Sequence, residues 1–191
     1  MFEVEVKLRA PHDAVRDALD AAGAEPRGRL VQTDTYYDAP HRDFAETDEA
    51  LRIREERPDG DPPAANAPDE DEATKLTYKG PLVEEASKTR EEHETAVGDG
   101  DTADEILDGL GFEPAAVVEK ERTFFDLDGY TVTLDRVAGL GEFVEVEAEA
   151  EDDADVQRVR EGVFDVVRRL GLDPDDQIRT SYLGLLLAGD E

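Results

Sequence analysis

Met1-Phe2-Glu3-Val4-Glu5-Val6-Lys7-Leu8-Arg9 alternates at period two. Successive side chains of an extended strand point to opposite faces, so Phe2, Val4, Val6 and Leu8 share one side and Glu3, Glu5, Lys7 and Arg9 the other. One such segment predicts only a half-buried strand. The same alternation returns in Leu51-Arg52-Ile53-Arg54, Lys75-Leu76-Thr77-Tyr78-Lys79, Lys120-Glu121-Arg122 and Phe143-Val144-Glu145-Val146-Glu147. Cations collect in some of these segments and carboxylates in others. Polar faces turned toward one another would enclose a cavity with basic and acidic halves.

Between these segments the chain reads as strands joined by turns, with a few helices. Pro11 opens a helix with Ala14, Val15, Ala18, Leu19 and Ala22 on one side, and Gly23 closes it. Leu30 to Tyr37 is a Thr- and Tyr-rich strand, Asp43 to Glu49 a short link, and Ala50 to Arg57 a third strand. Pro58 to Ala73 holds four prolines and many acids, which predicts an exposed, mobile hairpin connection within a single domain over 1–191. Lys75 to Lys79 is expected to stop at Gly80-Pro81, and Lys88 to Val97 follows with Lys88, Arg90, Glu92 and Glu94 on one parity. The helix Asp101 to Leu110 is predicted to bury Ala103, Ile106, Leu107 and Leu110. Ala116–Leu127, Tyr130–Val137 and Glu142–Ala150 complete the strands. A helix from Ala154 to Leu170 presents Val156, Val159, Val163, Val166, Val167 and Leu170, and a short apolar helix spans Ser181 to Leu187. About eight strands and two or three covering helices predict an α+β fold, an antiparallel β-barrel with a polar interior and flanking helices. A homodimer is one way to cover any outer strand faces the helices leave bare.

Composition narrows the function. There is no cysteine, which removes disulfides and thiolate chemistry, and only three histidines occur. No segment has the apolar length of a membrane span and the first residues are a charged strand, so a cytoplasmic protein without a membrane partner is expected. The formal charge of −30 argues against a nucleic-acid partner. Such acidity suits very high salt, where screening shortens the reach of surface repulsion and a halophilic protein tolerates it. Against this background cations are informative. The five lysines, Lys7, Lys75, Lys79, Lys88 and Lys120, all fall in or at the start of predicted strands, which points to one anionic ligand.

Glu3 and Glu5 point the same way from one strand, as do Glu145 and Glu147 from another, with Asp135 on the strand before. Together they suit a hard divalent cation with oxygen ligands. Arg52, Arg54, Arg90 and Arg122 offer planar forks to phosphate oxygens, and Lys7, Lys75, Lys79 and Lys120 add point charges. Eight cations exceed the needs of one monophosphate and fit a triphosphate laid along the bore. The chemistry would then be phosphoryl or nucleotidyl transfer by positioning and charge stabilisation.

The ordered set Glu3-x-Glu5-x-Lys7, Thr35-Tyr36-Tyr37-Asp38, Leu51-Arg52-Ile53-Arg54, Thr77-Tyr78-Lys79-Gly80-Pro81, Lys88-Thr89-Arg90-Glu91-Glu92, Glu119-Lys120-Glu121-Arg122, Leu134-Asp135-Arg136-Val137, Leu140 to Glu147 and Ser181-Tyr182-Leu183 resembles the CYTH superfamily of triphosphate tunnel enzymes. That resemblance implies an eight-stranded antiparallel tunnel binding a triphosphate with Mg2+ or Mn2+. It puts Glu3, Glu5, Asp135, Glu145 and Glu147 on the metal side. Lys7, Arg52, Arg54, Lys75, Lys79, Lys120 and Arg122 fall on the phosphate side, with Lys7, Lys79 and Arg122 as the catalytic candidates. Arg90 joins the phosphate-binding set, while Glu92, its companion on the central strand, carries no assigned role. The implied activity is that of a class IV adenylyl cyclase, forming cyclic AMP and pyrophosphate from ATP. Hydrolysis of inorganic, nucleoside or thiamine triphosphate is the alternative, and a non-catalytic nucleotide- or polyphosphate-binding module a third reading.

Overall fold

The computed structural model describes residues 2–59, 73–84 and 88–189. Eight strands form a closed antiparallel barrel in the order β1-β5-β4-β3-β2-β6-β7-β8. They are β1 (Phe2–Arg9), β2 (Glu25–Asp38), β3 (Ala50–Pro58), β4 (Ala73–Glu84), β5 (Lys88–Val97), β6 (Glu113–Leu127), β7 (Tyr130–Val137) and β8 (Gly141–Ala150). The helices are α1 (His12–Ala22), α2 (Phe44–Thr47), α3 (Gly100–Gly109), α4 (Asp153–Arg169) and α5 (Tyr182–Gly189). Among the described residues no helix is long and apolar enough to cross a membrane.

The alternation of β1 sets the polarity of the wall. Val4, Val6 and Leu8 pack outward beneath α1 and α4, joined by Val132, Leu134, Val144 and Val146. From α4, Val156, Val159, Val163, Val166, Val167 and Leu170 descend into this layer. Each such aliphatic side chain contributes about 1.5–3 kcal/mol when fully buried, so this layer is the main apolar store of the fold. Asp152 caps α4 by accepting from the Asp155 amide, and Arg168 and Arg169 occupy its last turn. Gly23 ends α1 at φ 78, the left-handed conformation that L side chains resist.

Several boundaries differ from the sequence reading. β2 and β6 start earlier than expected, and their ladder runs from Glu25 opposite Asp126 to Asp38 opposite Glu113. β4 passes through Gly80-Pro81 to Glu84, with register shifts between Lys79 and Leu82 and again between Leu82 and Glu84. An irregular ladder tolerates a proline that cannot donate. On α3 only Ala103 and Leu107 are buried as expected, whereas Ile106 and Leu110 are exposed. The Tyr37 hydroxyl donates to Asp104 Oδ1 at 2.5 Å, and this contact centres the packed arc on 103, 104 and 107. The acidic, proline-bearing connection expected over 58–73 falls outside the described residues from 60 to 72.

The interior has two characters. Most inward positions are charged, but Tyr36, Val118, Val137 and Phe143 form an apolar cluster with Tyr182 of α5. The chain leading to α5 is tied to the barrel where the Ile178 amide donates to the Lys7 carbonyl at 2.7 Å. One end of the bore is therefore stoppered by α5 rather than polar throughout.

Candidate active site

The barrel encloses a cavity of about 650 Å³. Nine cations line it: Lys7, Arg52, Arg54, Lys75, Lys79, Lys88, Arg90, Lys120 and Arg122. All five lysines of the chain are among them. In a protein with 51 acidic and 21 basic residues, that concentration is a property of the site and not of the composition.

Cross-strand pairing organises the charges. Arg54 on β3 faces Asp34 on β2, Arg122 on β6 faces Asp135 on β7, Lys79 on β4 faces Glu92 on β5, and Lys7 on β1 faces Glu145 on β8. Opposite charges in direct register stabilise a sheet, and like charges oppose it. Asp34, fully buried, accepts from Arg54 Nε at 2.6 Å and Nη2 at 2.7 Å and from Arg52 Nη1 at 3.3 Å, with Lys120 Nζ at 3.7 Å. Burial raises its pKa, but Arg52, Arg54 and Lys120 outweigh that and hold it far below the usual carboxylate range. One acid thus braces three cations and leaves them in surplus.

Arg122 is held in a second cluster. It donates to both oxygens of Asp135, at 2.7 and 2.5 Å, and also to Glu145. The Tyr182 hydroxyl donates to Asp135 Oδ2 at 2.9 Å. Burial, with Glu145 and Asp135 nearby, keeps this phenol neutral. Lys7 Nζ lies 4.4 Å from the Tyr182 ring centroid, and Lys120 Nζ 5.2 Å. Burial and the neighbouring charge of Lys88 lower the Lys7 ammonium to about 8, and burial with Arg122 and Arg54 lowers Lys120 to about 7. Lys79 behaves differently. Burial disfavours its charge, yet Glu3 at 2.5 Å and Glu92 at 2.8 Å hold it above its ordinary value.

Like charges also meet in register: Arg54 stands opposite Lys75, and Glu5 directly opposite Glu147, beside Glu3 opposite Glu149. Carboxylate oxygens of Glu3, Glu5 and Glu147 lie within 4.8 Å of one another. Burial and the charge of Glu3 push the Glu147 carboxyl up to about 8. Glu5 Oε1 is buried without a hydrogen-bond partner, its nearest cations being Lys7 at 3.8 Å and Lys88 at 3.9 Å. An all-oxygen cluster with an orphaned carboxylate atom and a repelled neighbour fits a hard divalent cation such as Mg2+ or Mn2+.

The CYTH domain family model matches residues 1–182. The chain belongs to the CYTH family. A candidate adenylate cyclase from Methanocaldococcus jannaschii is 34% identical over 186 residues, covering 97% of this chain and 98% of that protein. Adenylate cyclase CyaB of Aeromonas hydrophila is 30% identical over 183 residues, 95% of this chain and 86% of its own. Among solved structures, a Pyrococcus horikoshii protein superposes with TM-score 0.86 at 38% identity, covering 98% of this chain and 99% of that one. A Hippeastrum protein described as a candidate adenylyl cyclase with a dominant triphosphatase activity shares the fold, with TM-score 0.64 at 19% identity over 98% of this chain and 95% of its own.

Within this CYTH barrel every phosphate-side residue read from the sequence lines the cavity, namely Lys7, Arg52, Arg54, Lys75, Lys79, Arg90, Lys120 and Arg122. Lys75 stands near the carboxylates of Glu56 at 3.0 Å and Glu94 at 3.6 Å, and Arg90 donates to the Asp48 carbonyl and carboxylate. Of the five metal-side residues, Glu3, Glu5 and Glu147 converge, whereas Asp135 and Glu145 hold Arg122. Glu92 joins Glu3 on Lys79. Sequence reasoning passed over Asp34 and Gln32, and counted Lys88 among the lysines sharing an anionic ligand without placing it in the phosphate-binding set. Gln32 and Asp34 share the inward parity of Tyr36, and Lys88 that of Arg90, so strand parity carried the signal.

Proposed function

We propose that this CYTH protein is a divalent-metal-dependent enzyme acting on a triphosphate, with ATP as substrate and cyclic AMP and pyrophosphate as products. The observation that carries the reading is the gathering of all five lysines and four arginines around one cavity, beside a trio of carboxylates whose oxygens lie within 4.8 Å of one another. The names of the Methanocaldococcus and Aeromonas relatives favour cyclisation. A divalent cation held by Glu3, Glu5 and Glu147 would neutralise phosphate oxygens and strengthen the electrophile.

The chain's own groups do the rest. Arg52, Arg54 and Lys120, braced by Asp34, grip the phosphate chain in a fixed arrangement, so little reorganisation is needed when charge moves. The ribose 3'-hydroxyl attacks the α-phosphorus, the bond to the bridging oxygen breaks, and pyrophosphate leaves. Lys7, lowered to about 8, is suited to take the hydroxyl proton near neutral pH. Arg122 and Lys79 offset the charge that grows on the leaving group.

Hydrolysis is the second reading, favoured by how fully the lining is given to charge, with eight glutamates beside the nine cations. The same grip with a water aimed at the terminal phosphorus yields orthophosphate. Purified protein in high salt with Mg2+ or Mn2+ is given ATP, inorganic triphosphate and thiamine triphosphate, and the products are separated. Cyclic AMP with pyrophosphate supports cyclisation, and orthophosphate supports hydrolysis. Binding without turnover overturns both.

A further inference from the structure

Leu30 and Phe124 stand apart from the rest of the lining. Both take the inward parity of polar neighbours, Leu30 that of Gln32 and Asp34, Phe124 that of Lys120 and Arg122. Unlike Val118, Val137 and Phe143, they join none of the apolar clusters among the described residues, and both remain half-buried. Two apolar side chains facing a charged cavity without a packing partner need a reason. They sit beside the phosphate-side cations, since Leu30 is in register with Arg122, whose guanidinium lies 5.9 Å from the Phe124 ring centroid. Next to the ring is room. Gly28 is its register partner on β2, and a Cβ built there would meet nothing within 4 Å.

Gln32 supplies the second observation. It is 1% exposed, and its Nε2 donates to Glu56 Oε1 at 2.6 Å. Only the amide nitrogen can donate to a carboxylate, so the orientation is fixed and Oε1 is left as a buried acceptor without a partner. Ionised phosphate oxygens are themselves acceptors and cannot satisfy it. A base amine or a sugar hydroxyl can.

We infer that Leu30, Gln32 and Phe124 form the subsite for the organic end of the substrate, selecting a nucleoside triphosphate over inorganic triphosphate. A flat base would lie against Phe124 and Leu30, where stacking and exclusion of water stabilise it. Gln32 Oε1 accepts a hydrogen bond from the base or the ribose, while Arg122 marks the junction with the phosphates. This rests on the triphosphate reading above and adds to it which residues hold the nucleoside.

The test is titration of wild-type protein, Phe124→Ala and Gln32→Leu with ATP and with inorganic triphosphate, in Mg2+ and high salt, alongside thermal melting of each variant. Phe124→Ala is expected to weaken ATP binding about tenfold, and Gln32→Leu about fivefold. Affinity for inorganic triphosphate stays within about twofold in both, because the phosphate cations are untouched. Equal losses for the two ligands, or no loss for ATP, would overturn the subsite. If Gln32→Leu fails to fold because Glu56 loses its partner, Phe124→Ala still decides the question. Wild-type protein that binds neither ligand would sink the triphosphate reading as well, whereas wild-type protein that binds inorganic triphosphate but not ATP sinks the subsite and cyclisation and leaves triphosphate hydrolysis standing.

Discussion

The Asp34 cluster and the Glu5–Glu147 trio occupy one cavity and answer opposite electrostatic problems. Around Asp34 three cations share a single acid, Arg54 through bonds of 2.6 and 2.7 Å, Arg52 at 3.3 Å and Lys120 at 3.7 Å, so the arrangement is ordered and still short of negative charge. Around Glu147 two glutamates face each other across β1 and β8, and the cations near Glu5 stand off at 3.8 and 3.9 Å. Lys79 reaches Glu3 at 2.5 Å, yet burial and the charge of Glu3 still hold Glu147 protonated up to about 8. A metal–triphosphate complex, as proposed, would bring negative charge to the first half and a cation to the second.

The largest expected effect breaks this comparison at the trio. Exhaustive chelation should lower turnover at least about 100-fold, with recovery on adding Mg2+ or Mn2+; an unchanged rate would mean that the trio holds no working ion. Lys7→Ala should lower turnover by about 100-fold while the melting temperature stays near that of wild type.

Next in size, the same carboxylate-to-amide change should act differently in the two halves. Asp34→Asn strips three buried cations of their brace and should cost about 3–5 kcal/mol in urea denaturation. Glu147→Gln should raise metal-free stability near neutral pH, because the unfolded wild-type chain ionises Glu147 above 4.5 whereas the folded barrel must keep its proton up to about 8. The advantage should grow as pH rises from 4.5 and level off above about 8, where Glu147 is ionised in both states. The stabilising effect of added Mn2+ should disappear in it.

The pH dependence of the cation half sharpens the contrast. The folded pKa of Lys120, about 7, lies below the unfolded value of 10.5. Between these values the unfolded chain holds the extra proton, so this group makes stability rise with pH through that window. A bound triphosphate favours the charged ammonium, so binding at pH 8 should take up a proton. Titration calorimetry in two buffers of different ionisation heat measures the uptake, and Lys120→Met should reduce it, Lys7 at about 8 supplying the rest. The smallest effect serves as a control outside both regions: Leu110→Ser, on the exposed arc of α3, should shift stability by no more than about 0.5 kcal/mol.

Faces were legible in the sequence and registers were not. The alternation in Glu3-Val4-Glu5-Val6-Lys7 names the inward residues of one strand, and the strand-confined lysines announce a common ligand. Nothing in the spacing says that Glu5 will stand opposite Glu147 while Asp135 meets Arg122, because that follows from which strands become neighbours when the sheet closes. Asp34 escaped notice for a similar reason: a single acid among Thr and Tyr looks like the wet side of a surface strand until three cations surround it. The apolar stopper was readable, since Phe143 shares the parity of Glu145 and Glu147. On α3 the helical period fixes a stripe, but only the Tyr37–Asp104 contact chooses which arc is buried.

The trio also lies on the line where the sheet is sewn shut. Glu3 and Glu5 belong to β1, Glu147 to β8, and the ladder between these strands joins residues more than a hundred positions apart. A cation clasped there would rivet the seam, so cation concentration and barrel closure become one linked equilibrium. Magnesium supply would then govern how long the molecule stays shut as well as how fast it works.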